Sequence, residues 1–108
     1  IELLAKKYKL LIPSFGHAGD GNLHVNPIKP PGMTMNEWHE ILPQLLEELY
    51  LRTAKLGGTI SGEHGIGLKR KRFIGLVMQP EVIALQKRLK MTFDPNNILN
   101  PGKIFPNS

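Results

Sequence analysis

The sequence predicts an α+β fold: a partial antiparallel sheet built on a β-hairpin, with helices packed on one side. Three observations favour it. Two short apolar runs flank a glycine-rich segment that contains Asp20-Gly21, a pattern typical of a hairpin. Apolar residues then recur at helical spacing over residues 35–56. A second helical pattern, with proline and glutamate at its start, covers residues 80 to about 91.

The chain opens on the end of a helix. Residues 1–8 have the composition of its last turns, and Lys6 and Lys7 suit the negative pole of its dipole. The first residue is Ile, already inside this pattern, so we expect the chain to be a piece of a longer protein. Its 108 residues, 41% of them hydrophobic, suffice for one modest folded domain and not for two.

The hairpin pattern predicts a specific face. If Asp20-Gly21 are the two turn residues, His17 lies directly opposite His24, with Cβ atoms about 5 Å apart. Asn26, two residues after His24, points to the same face. A run of prolines and a glycine, residues 27–32, then ends the second strand.

The long helix has a start signal and a stop signal. Thr34 followed by Glu37 is a capping-box pattern, and Gly57-Gly58 ends the helix. Pro43 predicts a kink, or a break with a second start. The residues of its apolar stripe are Trp38, Ile41, Leu42, Leu45, Leu46, Leu49 and Leu56.

The segments after the long helix are rich in turn formers. Three glycines within residues 62–67 forbid a regular element there, and a basic run follows at 69–72. The tail over residues 93–105 contains two prolines, a glycine and three asparagines, which indicates successive turns.

Composition excludes several function classes. The absence of cysteine excludes disulfides, thiolate metal sites and cysteine nucleophiles. The net charge of the chain is +5. No apolar run approaches the roughly 18 residues of a membrane span, and we expect a cytoplasmic protein, membrane-associated only through partners. The basic run is typical of a solvated face, and one Trp and two Tyr offer few stacking groups, so we expect no nucleic-acid binding.

Two segments could carry metal chemistry. Two imidazoles about 5 Å apart favour a divalent cation between them, and Glu63 could add a carboxylate ligand. His64 follows Glu63 directly; adjacent side chains usually diverge, which would let His64 act as a base. The alternative is that the two histidines pack against neighbours and hydrogen-bond to backbone, while Glu63 and His64 lie at the tip of a solvent-exposed turn.

Three motifs resemble one known family. Residues 16–26 (GHAGDGNLHVN), 57–67 (GGTISGEHGIG) and 93–103 (FDPNNILNPGK) are similar to signatures of the FAD-linked oxidase C-terminal domain. They occur in the family's order and spacing, and the likeness covers residues 9–105. Its members include the glycolate oxidase FAD-binding subunit, D-lactate dehydrogenase and D-2-hydroxyglutarate dehydrogenase.

The resemblance implies an enzyme with two parts. An N-terminal domain binds most of the FAD, and residues 1–108 correspond to the C-terminal part of the cap, or substrate, domain. The cofactors implied are FAD and a divalent metal, commonly zinc, held by His17, His24 and Glu63. Asn26 and His64 would face the substrate, a small 2-hydroxy acid, and His64 would be the catalytic base.

Asn100 would contact the flavin. No flavin fingerprint occurs in this chain, so the resemblance implies that it is inactive without the FAD-binding domain. The sequence does not identify the electron acceptor.

Two other hypotheses stay open. The chain could be a stand-alone metal or small-molecule binding module without redox activity, or a partner whose exposed apolar face docks another subunit. Without its neighbours, so short a chain is also expected to self-associate through exposed apolar surface.

Overall fold

The computed structural model describes residues 1–106, which form two compact units, Ile1–Arg52 and the residues from Thr53 onward. The α+β prediction is confirmed: a two-stranded antiparallel hairpin accompanies three α-helices. The helices are α1 (Glu2–Tyr8), α2 (Met35–Lys55) and α3 (Pro80–Phe93), and the strands are β1 (Ser14–His17) and β2 (Asn22–Val25). Within residues 1–106, none of the helices combines the length and apolar character that crossing a bilayer requires.

The first unit has a small apolar core between α1 and α2. Leu4, Leu10, Trp38 and Leu45 are its buried members. Six half-buried residues pack around them: Tyr8, Ile12, Met33, Ile41, Leu42 and Leu49. Five of the seven predicted stripe residues therefore face this core, whereas Leu56, beyond the helix end, is 89% exposed.

Local signals fix both ends of α2. The capping box is present: the Thr34 amide donates to Glu37 Oε2 at 2.8 Å, and the Glu37 amide donates to Thr34 Oγ1 at 3.2 Å. At the other end, Gly57 has a φ of 82°, and the Gly58 amide donates to the Thr53 carbonyl at 2.9 Å. This is the Schellman arrangement that glycine favours. Of the two outcomes predicted at Pro43, the break is wrong, because α2 continues through it as one helix; the kink stays a prediction.

The second unit combines α3 with a 3-10 helix that the sequence did not predict. The 3-10 helix is Lys71–Leu76, and it buries Phe73 and Ile74. Part of the predicted basic run lies in it. Arg70 donates to the Gly65 carbonyl at 3.1 Å, and Lys71 donates to the Gly102 carbonyl at 3.0 Å. These cations hold loop backbone, which a charge pattern in sequence does not reveal.

Candidate functional site

The hairpin is confirmed, but its predicted turn is wrong. The strand register pairs Phe15 with His24 and His17 with Asn22, so His17 does not lie directly opposite His24. Residues 18–21 form the loop, with a 3-10 turn over Ala18–Asp20. A two-residue type I′ turn needs positive φ at both central residues, and here only Gly21 has it, with a φ of 68°.

The corrected register still leaves the two histidines on one face. Side chains alternate along a strand, so Phe15 and His17 share a face, and their partners His24 and Asn22 share it too. His17 and His24 are therefore diagonal neighbours, which in a regular sheet have Cα atoms about 7–8 Å apart. Long side chains can bridge that distance, so two imidazoles on this face remain a chemically suitable pair of donors for a divalent metal.

An aromatic contact orients one of these histidines. The Phe15 ring stacks on the His24 imidazole, with centroids 5.0 Å apart and an angle of 23° between the planes. Asn26 continues the ladder past β2, since its amide donates to the Pro13 carbonyl at 3.0 Å. By alternation its side chain lies on the face of His24, as the sequence predicted.

Gly16 allows the two strands to approach closely. A Cβ on Gly16 would overlap the carbonyl oxygen of Asn22 and would lie 3.0 Å from the Leu23 Cα. Both neighbours are backbone atoms of β2, so they cannot rotate away. The residue directly before His17 must therefore be glycine for this register to form.

In the second unit, the glycine-rich loop over residues 62–67 brings Glu63 and His64 together. His64 Nε2 lies 3.6 Å from Glu63 Oε1, so the expectation that these adjacent side chains diverge is wrong. Both side chains are exposed.

Two residues that sequence reasoning did not place in the site shape this loop. Ser61 Oγ accepts a hydrogen bond from the Gly65 amide at 2.7 Å, and Gly65 has a φ of 80°. Arg70 holds the Gly65 carbonyl, as described above. The only available sequence signal was a serine shortly before a glycine cluster, where local side-chain-to-backbone bonds are common.

Asn100 lies in the tail of the same unit, in the left-handed region with a φ of 46°. The Ile104 amide donates to the Gly67 carbonyl at 2.7 Å, so the tail is tied to the glycine-rich loop. The six predicted site residues thus divide between the units: His17, His24 and Asn26 belong to the first, and Glu63, His64 and Asn100 to the second.

Comparison with known proteins identifies the family. Residues 1–104 match the family described as FAD linked oxidases, C-terminal domain. The chain belongs to this family. The resemblance inferred from the three motifs is therefore confirmed.

The curated relatives are much longer than this chain. The chain is 43% identical over 102 residues to the glycolate oxidase subunit GlcD of Bacillus subtilis, covering 94% of the chain and 21% of that protein. It is 41% identical over 91 residues to the D-2-hydroxyglutarate dehydrogenase of Stutzerimonas stutzeri, covering 84% and 20%. It is 40% identical over 101 residues to the D-lactate dehydrogenase of Archaeoglobus fulgidus, covering 94% and 21%. The chain thus spans about a fifth of the length of these relatives.

Proposed function

We propose that the chain is the C-terminal part of the substrate domain of an FAD-dependent enzyme that oxidises a small 2-hydroxy acid to a 2-oxo acid. The observation that carries the proposal is the family membership over residues 1–104. The relatives' names support the substrate class, since glycolate, D-lactate and D-2-hydroxyglutarate are all 2-hydroxy acids. The FAD-binding domain is the partner that this proposal requires.

The donor set fits a divalent metal such as zinc. His17 and His24 share one hairpin face, and two imidazoles with one carboxylate are a common set for metals that keep open positions for substrate. We assign Glu63 as the carboxylate ligand. When bound, the metal would supply Lewis-acid polarisation of the substrate hydroxyl, and FAD would supply the acceptor for two electrons.

The chain's own residues would bind the substrate and move one proton. His64 accepts the proton of the substrate hydroxyl as the general base. The hydride leaves C2, and the carbon becomes the carbonyl of the 2-oxo acid. Asn26 donates a side-chain hydrogen bond that orients the acid, and Asn100 contacts the flavin.

Metal content tests the site. We expect about one divalent ion per chain by elemental analysis of the full-length protein, and its loss in His17→Ala and in Glu63→Ala. His39→Ala is the matched control, because His39 is an exposed histidine of α2 outside the proposed set. A metal retained in both site variants would overturn the ligand assignment.

Turnover separates the enzyme from a binding module. His64→Ala should keep the metal yet slow 2-hydroxy-acid oxidation by about 10²–10⁴-fold, the usual contribution of a general base. A full-length protein that binds metal and FAD but oxidises none of the three 2-hydroxy acids would favour the alternative of a binding module without redox activity.

A further inference from the structure

Asp94 is a buried carboxylate at the point where α3 gives way to the tail. It is 6% exposed. Its Oδ1 accepts a hydrogen bond from the Ile98 amide and its Oδ2 one from the Leu99 amide, both at 3.0 Å. Lys90, one helical turn earlier, forms an ion pair with Oδ2. One side chain thus joins the end of α3 to the backbone of the tail.

Helix capping alone does not explain a carboxylate at this position. The C-terminal end of a helix carries the negative pole of its dipole, where a negative charge is unfavourable. Lys90 offsets that cost, and the two tail amides use the carboxylate as a double acceptor. The carboxylate therefore stabilises the backbone of the segment after the helix.

That segment has an unusual backbone. Asn97 and Asn100 both have left-handed conformations, with φ of 51° and 46°, in a region that few residues other than glycine, asparagine and aspartate enter. The Asn97 amide also donates to the Asp94 carbonyl at 3.0 Å. Asp94 thus fixes the backbone on either side of Asn97 and immediately before Asn100.

We infer that Asp94 is a positioning residue that holds the Ile98–Leu99 backbone so that Asn100 is presented to the flavin. The inference rests on the flavin contact of the proposed function. The pKa of Asp94 is consistent with it: the hydrogen bond from Lys90, with those from the Leu99 and Ile98 amides, lowers that pKa from its ordinary value despite burial. The carboxylate is therefore ionised at neutral pH, as a double acceptor must be.

A double-mutant cycle on FAD affinity tests this role. In full-length apoprotein titrated with FAD, Asp94→Asn should raise the Kd by about tenfold, because one carboxylate acceptor and the ion pair are lost. Asn100→Ala should raise the Kd as well. The double variant should bind FAD no more weakly than the weaker-binding single variant, because both changes remove the same contact. Glu81→Gln, an exposed acid of α3, is the matched control and should leave the Kd within twofold.

The outcomes distinguish this inference from the proposed function. Effects of Asp94→Asn and Asn100→Ala that multiply in the double variant would show a merely structural role and overturn the inference. An unchanged Kd in Asp94→Asn beside a raised Kd in Asn100→Ala would overturn the inference alone. An unchanged Kd in Asn100→Ala would remove the proposed flavin contact and the inference with it. If Asp94→Asn does not fold, Lys90→Met, which removes the ion pair from its outer side, replaces it in the same cycle.

Discussion

Gly16→Ala should loosen the hairpin that carries His17 and His24. The added Cβ would overlap the Asn22 carbonyl and press on the Leu23 Cα, and both belong to the backbone of the paired strand. Since backbone neighbours cannot move aside without separating the strands, we expect a cost within the usual range for overpacking, about 2 kcal/mol. The cost falls on the pairing of β1 with β2.

Hydrogen exchange measures this cost at the hairpin itself. The amides of Asn26 and Ile28 donate to Pro13 and Leu11 across the ladder, so their exchange reports hairpin opening. A cost of about 2 kcal/mol lowers their protection by about 30-fold. The same substitution three residues on is the matched control: a Cβ on Gly19 has no atom within 4 Å, and its φ is not positive. Gly19→Ala should leave protection unchanged or raise it slightly, because it reduces the freedom of the unfolded chain.

Equal protection in Gly16→Ala and Gly19→Ala would refute the reasoning. It would mean that the strands do not approach closely at Gly16, and the register that places His17 diagonal to His24 would lose its steric basis.

Three further predictions concern stability. Leu45→Ala should lower the free energy of unfolding of the first unit by about 3 kcal/mol, because Leu45 is fully buried. Leu51 is an exposed residue of the same helix, and Leu51→Ala should lower that free energy by less than about 1 kcal/mol. Equal urea midpoints for the two variants would contradict the assigned core. Lys9→Gly should raise that free energy by about 1 kcal/mol, because Lys9 ends α1 with a φ of 55°; a lower urea midpoint would contradict this. The hydrogen bonds from Lys7 and Tyr8 lower the pKa of Glu48 in the folded state. The ionised Glu48 carboxylate therefore stabilises the fold at pH values above the ordinary glutamate pKa of about 4.3. This stabilisation is lost as the pH falls through the lowered folded-state pKa. Wild type should therefore exceed Glu48→Gln in stability at pH 6, and the difference should shrink on acidification; a constant difference down to pH 2 would argue against these bonds.

Elements whose signals lie within a few residues were predictable from the sequence. The capping box at Thr34 and Glu37, the glycine stop at Gly57 and the proline start of α3 use local hydrogen bonds and fixed dihedral preferences, and each appears in the structure. The family was also predictable, because three motifs of the sequence resemble its signatures, and the family match over residues 1–104 confirms that resemblance. The packing of the helices on one side of the sheet and the joint ligand set of His17, His24 and Glu63 stay predictions.

Tertiary structure alone decided the register and the contacts between distant residues. Asp-Gly is compatible with both a two-residue and a four-residue loop, and the choice depends on the pairing of whole strands; that pairing placed Phe15 opposite His24. The loop path decided that His64 approaches Glu63, because glycines permit many backbone routes. Asp94 is the clearest case: in sequence it is a polar residue before a proline, and only the folded tail brings two amides and Lys90 to its carboxylate. Local preferences fix which elements form, whereas register, loop path and buried hydrogen bonds follow from the free energy of the folded whole.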